Sequence, residues 1–214
     1  MITVRIWFEK RGEASYISLL DLQRVMQRCL RRSGLPVWYT LGYNPHIYLT
    51  FACPLSLGQE SLCESCDVKT EEEAPNFDAW RRALAAVMPS GLQVTKVAPP
   101  ESKATLIGFS TYTVTMPAAA ASLIDTYNLL SSAPVVKKTK SGPKTLELKT
   151  YLPTVDYTVE GDTLTTVLCL PAGDPLNLNP MLLLDFLRQT DELSTWQCSI
   201  LRTGLLTKEK TEFR

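Results

Sequence analysis

The stretch ISLLDLQRVMQRCLRRSGLPVWYTLGYNPH, Ile17 to His46, decides how the rest of the chain is read. Ser18 with Asp21 three residues on has the form of a capping box, with Asp in the usual Glu place. Leu22, Val25, Met26, Cys29 and Leu30 then recur at helical spacing, while Gln23, Arg24, Gln27, Arg28 and Arg31 fall on the other side. Gly34 and then Pro36 give the order expected at a helix C-terminus, and Arg31 with Arg32 in the last turn suits the helix dipole. The pattern predicts one capped helix, apolar inside and cationic outside. The turn Gly42-Tyr43-Asn44-Pro45-His46 follows it and holds the chain's one histidine.

Working outward, Ile2–Lys10 alternates at strand period. Val37–Thr40 and Tyr48–Ala52 are strand-like on either side of the turn, and Ser65–Thr70 reads as a further strand. Asn76 or Asp78 caps a helix through Trp80, Leu84, Val87 and Met88, stopped at Gly91, and Leu92–Val97 is a strand again. Pro99-Pro100-Glu101-Ser102 looks like a linker. The order then restarts: strand Gly108–Met116, helix Ala118–Ser131, strand-like Val135–Lys140 and Thr145–Lys149. A hairpin around Glu160-Gly161-Asp162, a helix capped by Asn179 and a last strand Trp196–Leu201 complete it. Each half reads strand–helix–strands–helix–strand, the split βαβ order. The expected fold is α+β: tandem ferredoxin-like (βαββαβ) modules with antiparallel sheets, one over residues 1–100 and one over 101–214.

The 214 residues carry no net charge, but the charge is segregated. Residues 1–50 hold seven basic against three acidic side chains, residues 51–80 one against seven, and residues 134–150 five against one. The basic regions form either solvated faces or a local anion-binding face. No run approaches a membrane span and no signal peptide is read, so a cytoplasmic protein with no membrane association is expected. Its six cysteines then read as thiols.

The motif residues resemble a known family. Gly12, Ile17-Ser18-Leu19-Leu20-Asp21-Leu22, Arg31-Arg32-Ser33-Gly34-Leu35-Pro36-Val37, Gly42-Tyr43-Asn44-Pro45-His46 and Phe51-Ala52-Cys53-Pro54-Leu55 look like the pattern of the uncharacterised radical SAM-linked proteins. Members of that family are encoded beside, or fused to, a radical SAM enzyme. The resemblance is strong over residues 5–98 and weaker over 105–208. It implies an accessory role beside a radical SAM protein and carries no established reaction. Two positions depart from the pattern. The usual histidine after Ser18 is Leu19, and the usual proline after His46 is Ile47. The first departure moves the expectation from enzyme toward binding module.

Several constellations invite chemistry. Arg24, Arg28 and Arg31 form a cationic stripe, read either as a solubilising face or as a phosphate-binding ridge. Asn44 and His46 flank Pro45 in a rigid turn beside Tyr39, Tyr43 and Tyr48, which makes His46 the best single candidate, either binding phosphate together with Asn44 or serving as acid/base. Lys137, Lys138, Lys140 and Lys144 surround Ser141-Gly142-Pro143 as a second basic element, with Lys138 and Lys140 the candidate phosphate contacts. Tandem ferredoxin-like modules bind RNA in the CRISPR repeat-processing endonucleases, an analogy of fold alone, and their glycine-rich C-terminal loop is missing here. Cys63-x-x-Cys66 lacks the further ligands of a tetrahedral site, and the Cys-x3-Cys-x2-Cys cluster of radical SAM enzymes does not occur. No metal and no cofactor are therefore expected. Three readings stand: an accessory module presenting RNA or another anion to a radical SAM protein, a metal-independent endoribonuclease using His46, and a pure protein-docking adaptor.

Overall fold

β1 (Ile2–Lys10) alternates as its sequence requires, with Val4, Ile6 and Phe8 fully buried under the helices. Each such side chain contributes roughly 1.5–3 kcal/mol on leaving water. Arg5 points to the other face of the strand yet is 1% exposed. Its guanidinium forks onto the Asp67 carboxylate at 2.7 and 2.8 Å and lies 4.7 Å from the centre of the Phe213 ring.

This computed structural model describes residues 1–139, 142–189 and 197–214. The chain divides into two units, Met1–Ile107 with Glu212–Arg214, and Gly108–Thr211. It is a mixed α+β protein with a mostly antiparallel sheet and four α-helices among the described residues. No helix there is long and apolar enough to cross a membrane.

In the first unit β1 is followed by α1 (Leu19–Arg32), β2 (Leu49–Phe51), β3 (Glu60–Thr70), α2 (Phe77–Ala85) and β4 (Leu92–Ala98). β4, β1 and β3 lie side by side, and β2 pairs with β3. Leu22, Met26 and Leu30 of α1 and Trp80 and Leu84 of α2 pack into one cluster with Val4, Ile6 and Phe8. Both helices therefore cover the same sheet face. The Ser18 hydroxyl oxygen caps α1 by accepting the Asp21 amide at 3.2 Å. The helix stops where Gly34 takes φ +69°, a conformation that favours glycine.

The second unit runs β5 (Ile107–Pro117), α3 (Ala121–Leu129), β6 (Pro134–Thr139), β7 (Gly142–Glu147), β8 (Tyr157–Glu160), β9 (Thr163–Pro171), α4 (Met181–Gln189) and β10 (Ser199–Thr207). Its sheet order is β10–β5–β9–β8, and β6 with β7 forms a separate hairpin. Ile124 and Tyr127 of α3 and Leu183, Leu184 and Leu187 of α4 share a core with Val114 and Leu168.

Several boundaries differ from the sequence reading. Val37–Thr40 is not a strand. Only Val37 bridges Thr70 and Tyr39 bridges Ile47, because the prolines at 36 and 45 withhold the amides a ladder needs. β3 begins at Glu60, well before Ser65. α2 ends at Ala85, and the amides of Val87 and Met88 both turn back onto the Leu84 carbonyl at 3.0 Å. α3 is shorter than expected, entered through a 3-10 turn over Ala118–Ala120. The last strand starts at Ser199, and Trp196 lies outside the described residues.

Candidate functional site

The amphipathic α1 sets the stage. With Leu22, Met26 and Leu30 inside, Arg24, Arg28, Arg31 and Arg32 are exposed. Their circumstances differ. Arg24 donates to the Asp21 carboxylate at 2.9 Å, and the Ser18 hydroxyl donates to the same group at 2.7 Å. The hydroxyl first, and then the guanidinium, hold the Asp21 carboxyl below its ordinary range. Arg24 is thereby neutralised. Among the described residues Arg28, Arg31 and Arg32 make no ion pair.

Arg28 and Arg32 lie one turn apart and line a groove of about 390 Å³ with Val25 and Cys29. The opposite wall is Val87-Met88-Pro89, the segment after α2. Cys29 is 4% exposed and its thiol donates to the Val87 carbonyl at 3.5 Å. Burial pushes that thiol up, against a smaller pull from Arg32, so the floor of the groove is an uncharged thiol at neutral pH. The wall is held from behind. Gly91 takes φ +81°, its carbonyl accepts the Arg11 amide at 2.8 Å, and a Cβ there would meet the Arg11 carbonyl oxygen at 2.5 Å.

The histidine sits apart from this groove. The loop is closed by the Tyr39–Ile47 bridge and by the Thr40 amide donating to the His46 carbonyl at 2.8 Å. His46 Nδ1 lies 3.1 Å from the Asn44 carbonyl oxygen and 3.1 Å from Thr40 Oγ1. A carbonyl can only accept, so the Asn44 contact selects the neutral tautomer with the proton on Nδ1, in which Nε2 is the ring's acceptor. The exposed ring is oriented by its own loop. Asn44 acts through its backbone, and no hydrogen bond or ion pair joins His46 to Arg28, Arg31 or Arg32. At the loop tip Leu41 is 89% and Tyr43 101% exposed.

The other candidates separate as well. Lys138 pairs through its backbone with Pro143; its side chain and Lys140 lie outside the described residues. The neighbouring Lys137 is tied down, donating to the Asn177 carbonyl at 2.7 Å. Cys63 and Cys66 stand three apart on β3, and burial drives the Cys66 thiol far up. Two features escaped sequence reasoning. Arg32 reads from sequence as a dipole partner and a motif residue, although its i, i+4 spacing from Arg28 marks a pair. The Val87–Pro89 wall is too distant along the chain to be connected to α1.

A profile of the family described as an uncharacterized protein conserved in bacteria, DUF2344, matches residues 3–180. The chain belongs to that family. The matched region of this DUF2344 member includes α1, the histidine loop, the groove wall and the β6–β7 hairpin. No curated protein matches it.

Proposed function

We propose that this DUF2344 chain is a non-catalytic accessory module that presents RNA, or another anionic substrate, to a radical SAM enzyme in the cytoplasm. The observation that carries the reading is the end of α1, where Arg28, Arg31 and Arg32 stand exposed and, among the described residues, make no ion pair. Uncompensated guanidiniums on one helix are suited to phosphate oxygens. Arg24 drops out because Asp21 already neutralises it. The radical SAM partner rests on the resemblance of the Ile17–His46 motif, and the bare apolar loop tip at Leu41 and Tyr43 offers a place for a protein to dock. A tandem ferredoxin-like repeat is the architecture in keeping with this role. Its support is that β4–β1–β3 with β2 on β3, and β10–β5–β9–β8, have the same order once β6 and β7 are set aside.

The test is RNA binding by the full chain across a salt series. Arg28→Glu is expected to weaken binding, and the wild-type affinity is expected to fall steeply with salt, by about 0.7 log units per log unit of salt for each single-strand phosphate contact. Absent or salt-insensitive RNA binding refutes it. Co-purification with the product of a neighbouring radical SAM gene tests the partner separately.

His46 favours a second reading. An Nδ1 held by the Asn44 carbonyl leaves Nε2 placed to take or give a proton, as a metal-independent endoribonuclease requires. RNA cleavage by the wild type that His46→Ala abolishes supports that reading. Cleavage unchanged by the substitution, or none in the wild type, removes it.

A further inference from the structure

We propose that the groove between α1 and Val87-Met88-Pro89 binds a terminal phosphomonoester on a planar body, either a free mononucleotide or the 5′ end of an RNA. The inference rests on the anion-binding reading above and names which anion the groove takes. Its volume of about 390 Å³ holds one head group and one ring rather than a tract of backbone. Arg28 and Arg32 sit one turn apart on the same side of α1, where like charges repel. Among the described residues no carboxylate relieves them. An internal phosphodiester brings a single negative charge to such a pair. A terminal phosphomonoester brings about −1.5 to −2 at neutral pH and offers three oxygens, enough to engage both guanidiniums.

The rest of the lining fits the body that carries the phosphate. Val25, Val87, Met88 and Pro89 are apolar, and Cys29, with its thiol turned to the Val87 carbonyl, adds no charge against the anion. These walls offer a flat group contact area and desolvation, while Arg28 and Arg32 supply the oxyanion contacts from one side. Guanidinium planes also stack on aromatic rings. A bare phosphate would use only half of such a groove.

The experiment compares one short RNA carrying a 5′-phosphate or a 5′-hydroxyl, together with AMP, adenosine and inorganic phosphate, all against the full chain. The 5′-phosphorylated RNA is expected to bind about tenfold tighter or more. AMP is expected to bind well above both adenosine and inorganic phosphate. Arg28→Gln and Arg32→Gln each remove that preference, whereas Arg24→Gln, whose guanidinium serves Asp21, retains it. Val25→Trp fills the groove without altering charge and also removes it, with circular dichroism confirming the fold of each variant. Equal affinity for the two RNA ends with no AMP binding overturns the groove assignment and leaves RNA binding by α1 standing. AMP binding without RNA binding leaves the groove standing and sinks RNA presentation. Inorganic phosphate binding as well as AMP overturns the planar-body specificity.

Discussion

Glu147 illustrates how one carboxylate can hold a turn. It accepts the Ser132 hydroxyl and the Ala133 amide, both at 2.6 Å, and the Lys149 amide at 3.1 Å. The Ser132 hydrogen bond, then that of Ala133, holds its carboxyl below the ordinary range. A carboxyl depressed in the folded state contributes stability above its unfolded pKa, and that contribution is lost as pH falls through the folded value. Asp21 has the same sign through Ser18 and Arg24. Urea denaturation repeated below about pH 5 is therefore expected to show acid destabilisation that Glu147→Gln partly flattens. An unchanged pH profile in the variant refutes the linkage. Residues of this kind were unevenly legible. The Ser18 cap and the His46 turn are local, and their spacing reveals them. That Arg24 is spent on Asp21 follows from the i, i+3 geometry of a helix once the Asp is placed at its start, but a stripe of arginines read as one face conceals it.

At the scale of elements, strong periodicity was reliable and short aromatic runs were not. β1 and α1 bury the residues their spacing selects, because one face of each must leave water. Val37–Thr40 carries the alternation of a strand but finds only single bridging partners, an outcome decided by proline placement and by β3 rather than by propensity. The groove wall is the element-level feature on which the proposed phosphomonoester binding depends. α2 begins with Asn76 Oδ1 accepting the Ala79 amide at 3.0 Å, and Asn76→Ala is expected to cost about 1 kcal/mol in denaturant melts. Gly91→Ala is a sharper probe. It places a side chain at φ +81° and against the Arg11 carbonyl, so a loss of more than about 1 kcal/mol is expected. Because Pro89 stands two residues away, the same change should also weaken AMP binding. Retention of full stability would show that the turn is not strained as described.

At the scale of the molecule, the pattern of segregated charge was visible from composition, but the pairing that organises it was not. Asp67 belongs to the acidic stretch and Arg5 to the basic one, and β1–β3 register sets them opposite each other. Nothing local to either residue announces this, since the antiparallel pairing that joins them is decided by the whole sheet. The consequence is asymmetric. The Arg5 side chain is 1% exposed, whereas Asp67 retains 20%. Arg5 also donates to the Arg214 carbonyl at 3.1 Å, drawing Glu212–Arg214 into the first unit. Asp67→Asn leaves a buried guanidinium without its counter-ion and is expected to cost about 3–5 kcal/mol. Arg5→Met leaves a carboxylate that water can still reach, so it should cost less. Replacing both, as Arg5→Met with Asp67→Asn, removes both charges and their desolvation penalty together with the attraction and should fall well short of the sum of the single changes. Urea melts of the four proteins give the coupling directly. If Asp67→Asn proves as mild as a surface substitution, the ion pair is not what fixes β1 against β3, and the apolar face of Val4, Ile6 and Phe8 holds that register alone.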